Sequence, residues 1–312
     1  MTVLLVDADP VCYRAGFAAE KHSYHLVYCT DKSDLQEIKF SPTDKASAGD
    51  QMKAWIDTFQ DDDLLEILDK TKIVTPMPLA FALEATRTQI QSIIKECGAD
   101  HVRLFLSGKA NYRYAVAKQR PYKGNRVADK PVHYDAIREY LSEFWNAELV
   151  NKIEADDKLS ILAREAGAEG HTILATIDKD LDQIPGKHYN YMKQVFYDVD
   201  PVEAELFFYQ QCLSGDPTDN IPGCYKVGNV GAQKIVYDAF GEAQEFGDVW
   251  SAVLNTYALS KEREGCPYAE RDSRDVALET ARLVKLQEYD GQLWTPPGEP
   301  LETVGEALYE RS

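Results

Sequence analysis

Three apolar runs stand out along the chain, and each stops at a small polar or acidic residue. Val3 to Val6 ends at Asp7, Val102 to Leu106 ends at Ser107, and Thr172 to Ile177 ends at Asp178. Short continuous apolar runs of this kind mark strands buried on both faces. Helical spacing fills the intervals at about 80–97, 132–146 and 154–166. Strands alternating with helices predict an α/β fold with a mainly parallel central sheet flanked by helices. In such sheets ligands bind beyond the carboxyl ends of the strands. The acids stand at those ends.

Two stretches depart from this rhythm. Residues 41–78 carry Pro42, Pro76, Pro78 and the run Asp61-Asp62-Asp63, with no strong strand signal. They predict an irregular insertion with one or two helices around 50–70. The acidic run suits the first turn of a helix better than a metal site. After 185 a hairpin or extended pair is expected at 187–199 and a helix at 201–213. The turn-rich string Ser214-Gly215-Asp216-Pro217-Thr218-Asp219-Asn220-Ile221-Pro222-Gly223 follows. Gly228-Asn229-Val230-Gly231-Ala232 then leads into a helix at about 231–240, with further helical patterns near 247–260 and 274–288. The expected division is an α/β domain at 1–185 and a C-terminal helical region at 186–312.

Composition narrows the function classes. The chain has 312 residues, 44% of them hydrophobic, enough for a packed core. No apolar run reaches the roughly 18 residues of a membrane helix, and the start Met1-Thr2-Val3-Leu4-Leu5-Val6-Asp7 lacks the basic lead of a signal peptide. The six cysteines form no C-x-x-C pair, so reduced thiols in a cytoplasmic protein are expected. The formal charge of −18 argues against nucleic acid if taken alone. Its distribution changes the picture. Lys109, Arg113, Lys118, Arg120, Lys123, Arg126 and Lys130 cluster with Tyr112, Tyr114 and Tyr122 against only Asp129. Such a stretch can focus phosphate affinity, although a solvated charged face is the alternative reading.

Four acidic groups carry the candidate chemistry. Glu154-Ala155-Asp156-Asp157 places Glu154 and Asp157 on one helix face, at a helix start. Asp178 and Asp180 follow a buried strand in Ala175-Thr176-Ile177-Asp178-Lys179-Asp180-Leu181-Asp182, and Asp7 and Asp9 repeat that pattern. Asp216 and Asp219 belong to the Gly/Pro loop. Singly, these also read as a helix cap, a β-to-α turn and a loop. Together they supply the hard oxygen ligands that Mg²⁺ or Mn²⁺ requires, while histidine is too scarce and scattered for zinc. Two such ions about 4 Å apart can activate water and stabilise the leaving oxygen of a phosphodiester.

The ordered set of strings resembles the 5′ nuclease (flap endonuclease-like) family, which includes the 5′-nuclease domain of bacterial DNA polymerase I and the phage 5′→3′ exonucleases. The resemblance rests on Val-Asp-Ala-Asp at 6–9, Tyr-Lys-Gly-Asn-Arg at 122–126, Glu-Ala-Asp-Asp at 154–157, Thr-Ile-Asp-Lys-Asp-Leu-Asp-Gln at 176–183 and Gly-Asp-Pro-Thr-Asp-Asn-Ile-Pro-Gly at 215–223. It spans about 1–10 and 100–240, and leaves out 41–78 and most of 241–312. It implies a PIN-like 5′ nuclease fold with a helical arch at 109–130 and a helix–three-turn–helix DNA-binding element at about 203–240. It implies one metal site from Asp7, Glu154, Asp156 and Asp157 and a second from Asp178, Asp180, Asp216 and Asp219. Lys123 and Arg126 would contact the scissile phosphate, Tyr122 would stack on a displaced base, and Arg113 would face phosphate. Gly223, Gly228 and Gly231 would line duplex backbone, with K⁺ in the same loop.

The activity implied is 5′→3′ exodeoxyribonuclease with flap endonuclease and RNA-primer removal, of the stand-alone phage type. Its partners would be DNA 5′ ends or flaps, RNA–DNA hybrids and a replication polymerase, with the protein a monomer. Two departures stand out. Ser107 occupies the place of an expected acid, and the string around Gly228 carries an extra residue. An endoribonuclease on a similar fold and a non-catalytic DNA-binding relative are the competing readings.

Overall fold

Strand β1 (Thr2–Asp7) sits in the middle of a six-stranded sheet, its Leu4, Leu5 and Val6 almost fully buried. A computed structural model describes residues 1–30, 34–59, 65–126, 129–167 and 171–305. The expected helix start at Asp61-Asp62-Asp63 lies outside them. The chain forms two units, one of residues 1–10, 91–129 and 141–312, the other of residues 11–90 and 130–140.

The second unit is built on three antiparallel strands, β2 (Glu20–Cys29), β3 (Gln36–Phe40) and β4 (Glu66–Pro76), in the order β3-β2-β4. Helix α1 (Asp9–Ala18) leads into it from β1. Helix α2 (Ala48–Ile56), capped by Ser47 through the Asp50 N–H at 3.1 Å, packs Ala48 and Met52 on Leu26 and Phe40. An irregular insertion with one or two helices around 50–70 is the expectation for 41–78, and its strand content is the correction. Among the described residues one helix, α2, forms there, and residues 66–76 are strand. The strand signal is hidden because β4 pairs with β2 alone and leaves almost every side chain in solvent. No buried face imposes alternation on such a strand.

The first unit carries the central sheet. Helix α3 (Leu79–Cys97) enters it and ends before β5 (His101–Asn111). Beyond β5 lie the short α4 (Arg113–Val116) and α5 (Tyr134–Trp145), whose residues 134–140 belong to the second unit, then β6 (Glu148–Lys152), α6 (Ala155–Ala166), β7 (His171–Thr176), β8 (Gly186–Asn190) and β9 (Val195–Val199). The order is β6-β5-β1-β7-β8-β9, parallel except for β8 with β9. The division expected after residue 185 therefore runs through this sheet, because β7 hydrogen-bonds to β8. In register, Val6 faces Leu104 on one side and Ala175 on the other. Asp7 and Thr176 thus leave adjacent strands at the same carboxyl edge.

The remaining helices are α7 (Pro201–Ser214), α8 (Asn229–Ala243), α9 (Phe246–Lys261) and α10 (Ser273–Val284). They enclose a second core that includes Phe208, Tyr209, Val236, Val253, Tyr257 and Ala281. Each large side chain so buried contributes roughly 1.5–3 kcal/mol. Asp200 caps α7 by accepting from the Val202 N–H at 2.8 Å, with Pro201 at the first helical position. The helical pattern expected to 288 stops at Val284. The freed carbonyls of Leu283 and Lys285 accept from Arg113 at 2.9 Å each. Among the described residues of the expected arch at 109–130, only α4 is helical, and 118–126 is turn and bend.

Candidate metal and phosphate site

The carboxyl edge of β1 and β7 positions the first acids. Asp7 is 4% exposed. Its carboxylate accepts from the Thr176 hydroxyl at 3.1 Å and the Asp9 N–H at 3.3 Å. Thr176 is held in turn by the Asp178 N–H, 3.0 Å from its oxygen. Asp178 caps the single-turn helix Lys179–Gln183, accepting from the Asp180 N–H at 2.9 Å. A β-strand end followed by a cap residue thus places acids two apart on one rim.

The electrostatics of this rim are repulsive. Burial, with Asp9 and Asp178 nearby, raises the Asp7 carboxyl to about 8. Burial together with Asp178 and Asp216 raises Asp180 to about 7. Burial and the charges of Asp7 and Asp178 push Asp156 well above the usual carboxylate range. Burial and Asp219 raise Asp216, which is 7% exposed. Desolvation and like charge act in the same direction here, with little opposing cation.

The other side of the site is different. Glu154 accepts from the Tyr122 hydroxyl at 2.8 Å and from the Lys123 ammonium, with the Arg113 guanidinium 3.9 Å away. Burial would raise Glu154, but Lys123 and Arg113 outweigh it and hold the carboxyl at about 2. Asp219 receives the Tyr122 hydroxyl at 2.7 Å, Lys123 at 3.5 Å and Arg126. The phenol carries one proton, so it donates to Glu154 and Asp219 in turn.

Backbone bonds fix this basic segment on the Gly/Pro loop. The Lys123 N–H donates to the Asp219 carbonyl at 2.8 Å, Asn220 to the Pro121 carbonyl at 2.8 Å, and Asn125 to the Pro217 carbonyl at 2.8 Å. Lys123 adopts a left-handed backbone, φ 55°, which a side chain tolerates only when its surroundings enforce it.

Seven of the eight expected metal residues, Asp7, Glu154, Asp156, Asp178, Asp180, Asp216 and Asp219, are joined by these bonds and couplings. The eighth stands apart. Asp157 is fully buried, with its oxygens taken by Arg113 at 2.6 and 2.8 Å, the Glu154 N–H at 3.0 Å and the Gln287 N–H at 3.0 Å. Arg113, 2% exposed, spends its donors on Asp157, Leu283 and Lys285. Both residues depart from their expected roles, since neither reaches an open surface. Tyr122 departs as well: at 4% exposed, its ring belongs to the helical core and presents no face to a base.

Gly223 also differs from the expectation. A Cβ there would stand 2.3 Å from the Ser214 carbonyl carbon and 2.4 Å from the Gly215 nitrogen. It lets two backbone stretches touch, which is a packing role. Gly228 and Gly231 do lie exposed, at the first turn of α8.

Ser107 takes a third role. Its hydroxyl accepts from the Ala155 N–H at 3.0 Å, at the start of α6, and its own N–H donates to Asp9 at 2.8 Å. Sequence reading missed Gln211, which donates to Asp180 at 2.8 Å from the last turn of α7, and Thr176 as a partner of Asp7. Thr176 lies inside a quoted string. Gln211 has no local signal.

Among the described residues no group of three acids, histidines or cysteines is already drawn together around one point. The donor chemistry nonetheless fits a hard divalent cation. The groups are carboxylate oxygens, and their mutual repulsion is what a bound cation would relieve.

The comparisons bear on this arrangement. No protein-family model matches the chain. Thermostable DNA polymerase I of Thermus aquaticus is 30% identical over 203 residues, 61% of this chain and 23% of that protein. A 5′-3′ exonuclease of Mycoplasmopsis pulmonis is 23% identical over 210 residues, 63% of this chain and 68% of that protein. A solved T5 5′-exonuclease structure superposes with TM-score 0.53 at 12% identity, covering 91% of this chain and 88% of that one. Relatives of the chain thus include proteins named 5′-3′ exonuclease, flap endonuclease and DNA polymerase I. The chain spans less than a quarter of the length of the DNA polymerase I relatives it matches. It shares the mainly parallel sheet and helices of the T5 fold. No helix among its described residues is long and apolar enough to cross a membrane.

Proposed function

We propose that the protein is a divalent-metal-dependent 5′→3′ exodeoxyribonuclease with flap endonuclease activity. The observation that carries this is the joining, at one sheet edge, of acids from four separate stretches with Lys123 and Arg126 of the basic segment. The exonuclease and polymerase I relatives support the same reading.

Mg²⁺ or Mn²⁺, as two ions, would be held by Asp7, Asp156 and Glu154 on one side and by Asp178, Asp180, Asp216 and Asp219 on the other. Bound there, such ions supply an activated water and charge stabilisation for phosphodiester hydrolysis. The chain's own groups do the rest. Lys123 and Arg126 exchange Asp219 and Glu154 for the scissile phosphate and stabilise its developing charge. Tyr122 holds the two acid groups at fixed spacing. The exposed turn at Gly228 and Gly231 offers unpaired N–H groups of the α8 start to duplex phosphates, with K⁺ in the same loop. RNA–DNA hybrids, a cytoplasmic setting and a polymerase partner belong to the same proposal, the last resting on the polymerase I relatives.

The test is incubation of the protein with 5′-labelled duplex DNA, flap DNA and RNA, with Mg²⁺ or with chelator. Mg²⁺-dependent release of short products from DNA 5′ ends is expected. Cutting of RNA alone would establish an endoribonuclease instead, and binding without cutting a non-catalytic relative.

A further inference from the structure

Asp180 is connected to the helical core by a chain of two buried glutamines whose direction the backbone dictates. Gln183 and Gln211 are 2% and 4% exposed. The Val284 carbonyl lies 2.7 Å from the Gln183 amide nitrogen, and a carbonyl can only accept. The Leu286 N–H lies 3.1 Å from the Gln183 amide oxygen, and an N–H can only donate. The end of α10 therefore fixes which way the Gln183 amide faces. Its NH₂ group is thereby turned toward Gln211, whose oxygen accepts at 2.6 Å. The Gln211 NH₂ is left facing Asp180, and it donates to that carboxylate at 2.8 Å. Each amide orientation follows from the one before it.

We infer that Gln211 is a positioning residue, which holds the Asp180 carboxylate in its cation-binding orientation and ties that orientation to α7. The inference rests on Asp180 being a cation ligand. Asp180 follows the Asp178 cap in a one-turn helix and has no second side-chain donor among the described hydrogen bonds. Without Gln211, its side chain would be free to turn away from Asp178 and Asp216. Partners of this kind behind a ligand are worth about 10- to 100-fold in metal affinity. The arrangement also joins two parts of the proposed machinery. Gln211 lies four residues before Gly215, so the last turn of α7 carries the Asp180 partner and leads directly to Asp216 beyond its end.

The experiment measures Mn²⁺ binding to the metal-free full chain without DNA, by the loss of free-ion EPR signal. It compares the unsubstituted protein with Gln211→Met, Gln211→Leu and Asp180→Asn. Both Gln211 variants are expected to bind Mn²⁺ about 10-fold more weakly. Their KM for DNA at saturating Mn²⁺ and their metal-free melting temperatures are expected to stay close to those of the unsubstituted protein. Unchanged Mn²⁺ affinity in both variants, with or without a lower melting temperature, makes Gln211 a packing residue and overturns the inference. Asp180→Asn separates the two levels. If it too leaves Mn²⁺ affinity unchanged, the ligand reading of Asp180 is what fails.

Discussion

The two sides of the acidic site hold their carboxyl groups in opposite states. On the side of the basic segment, Glu154 is held at about 2 because Lys123 and Arg113 overcome its burial, and Asp157 is locked by a two-pronged guanidinium. On the strand-end side, Asp7 rises to about 8 and Asp180 to about 7, with neighbours that are mostly further acids. The protein thus neutralises one half of its acid cluster with its own cations and leaves the other half in mutual repulsion. A folded protein keeps such repulsion where something outside the chain relieves it. Under the proposed function, the unrelieved acids form the core of the metal site, and Lys123 and Arg126 on the neutralised half turn from Glu154 and Asp219 to the phosphate.

Breaking the unrelieved half gives the largest effect. Asp178→Ala removes an acid that couples to Asp7, Asp156 and Asp180. It is expected to abolish Mg²⁺-dependent cleavage of labelled DNA while sparing DNA binding in a gel-shift measurement. Lys123→Ala, on the neutralised half, is expected to cost about 10²- to 10³-fold in kcat with the fold intact. Equal losses in the two variants would erase the proposed difference between the halves.

A stability measurement sharpens the role of the locked pair. Arg113→Met leaves Asp157 buried without its cation, and removing one partner of a buried pair costs about 3–5 kcal/mol. Denaturant unfolding should show that loss, and adding Asp157→Leu should recover part of it. A loss below about 1 kcal/mol for Arg113→Met would remove the structural assignment of the pair.

The smallest expected effect is in pH dependence. Asp7 and Asp180 hold their protons to higher pH in the folded protein than the 3.8 of an ordinary carboxyl. Between about pH 4 and pH 8 the folded state therefore binds more protons than the unfolded chain, and the metal-free protein should lose stability as pH rises. Glu154 acts in the opposite sense. Its contribution is present above 4.5 and is lost as pH falls through about 2. Metal-free melting temperatures that rise steadily from pH 5 to pH 8 would contradict the strand-end picture.

Much of this arrangement was legible in the sequence because strand ends are local. Val3–Val6 and Thr172–Ile177 announce buried parallel strands, and the acids after them inherit their places from the sheet. What was not legible depends on distant partners. Nothing in Glu154-Ala155-Asp156-Asp157 separates Asp156 from Asp157. The difference comes from Arg113, forty-four positions away, and from carbonyls at the end of α10. Tyr122 sits in a basic string yet is claimed by the helical core. Gly223 has the composition of a phosphate loop, but two backbones touching require it. The β2-β3-β4 sheet was hidden for another reason. Its outer strand β4 buries almost nothing, so apolar periodicity carries little information there.

The most direct test is calorimetric titration of the metal-free protein with Mg²⁺ at pH 7, in two buffers of different ionisation enthalpy. With Asp7 at about 8 and Asp180 at about 7, both carboxyls are partly protonated at that pH. Mg²⁺ binding is therefore expected to release protons, and Asp178→Ala is expected to weaken the binding sharply. Binding without proton release, or binding indifferent to Asp178, would contradict the claim that the unneutralised acids hold the metal.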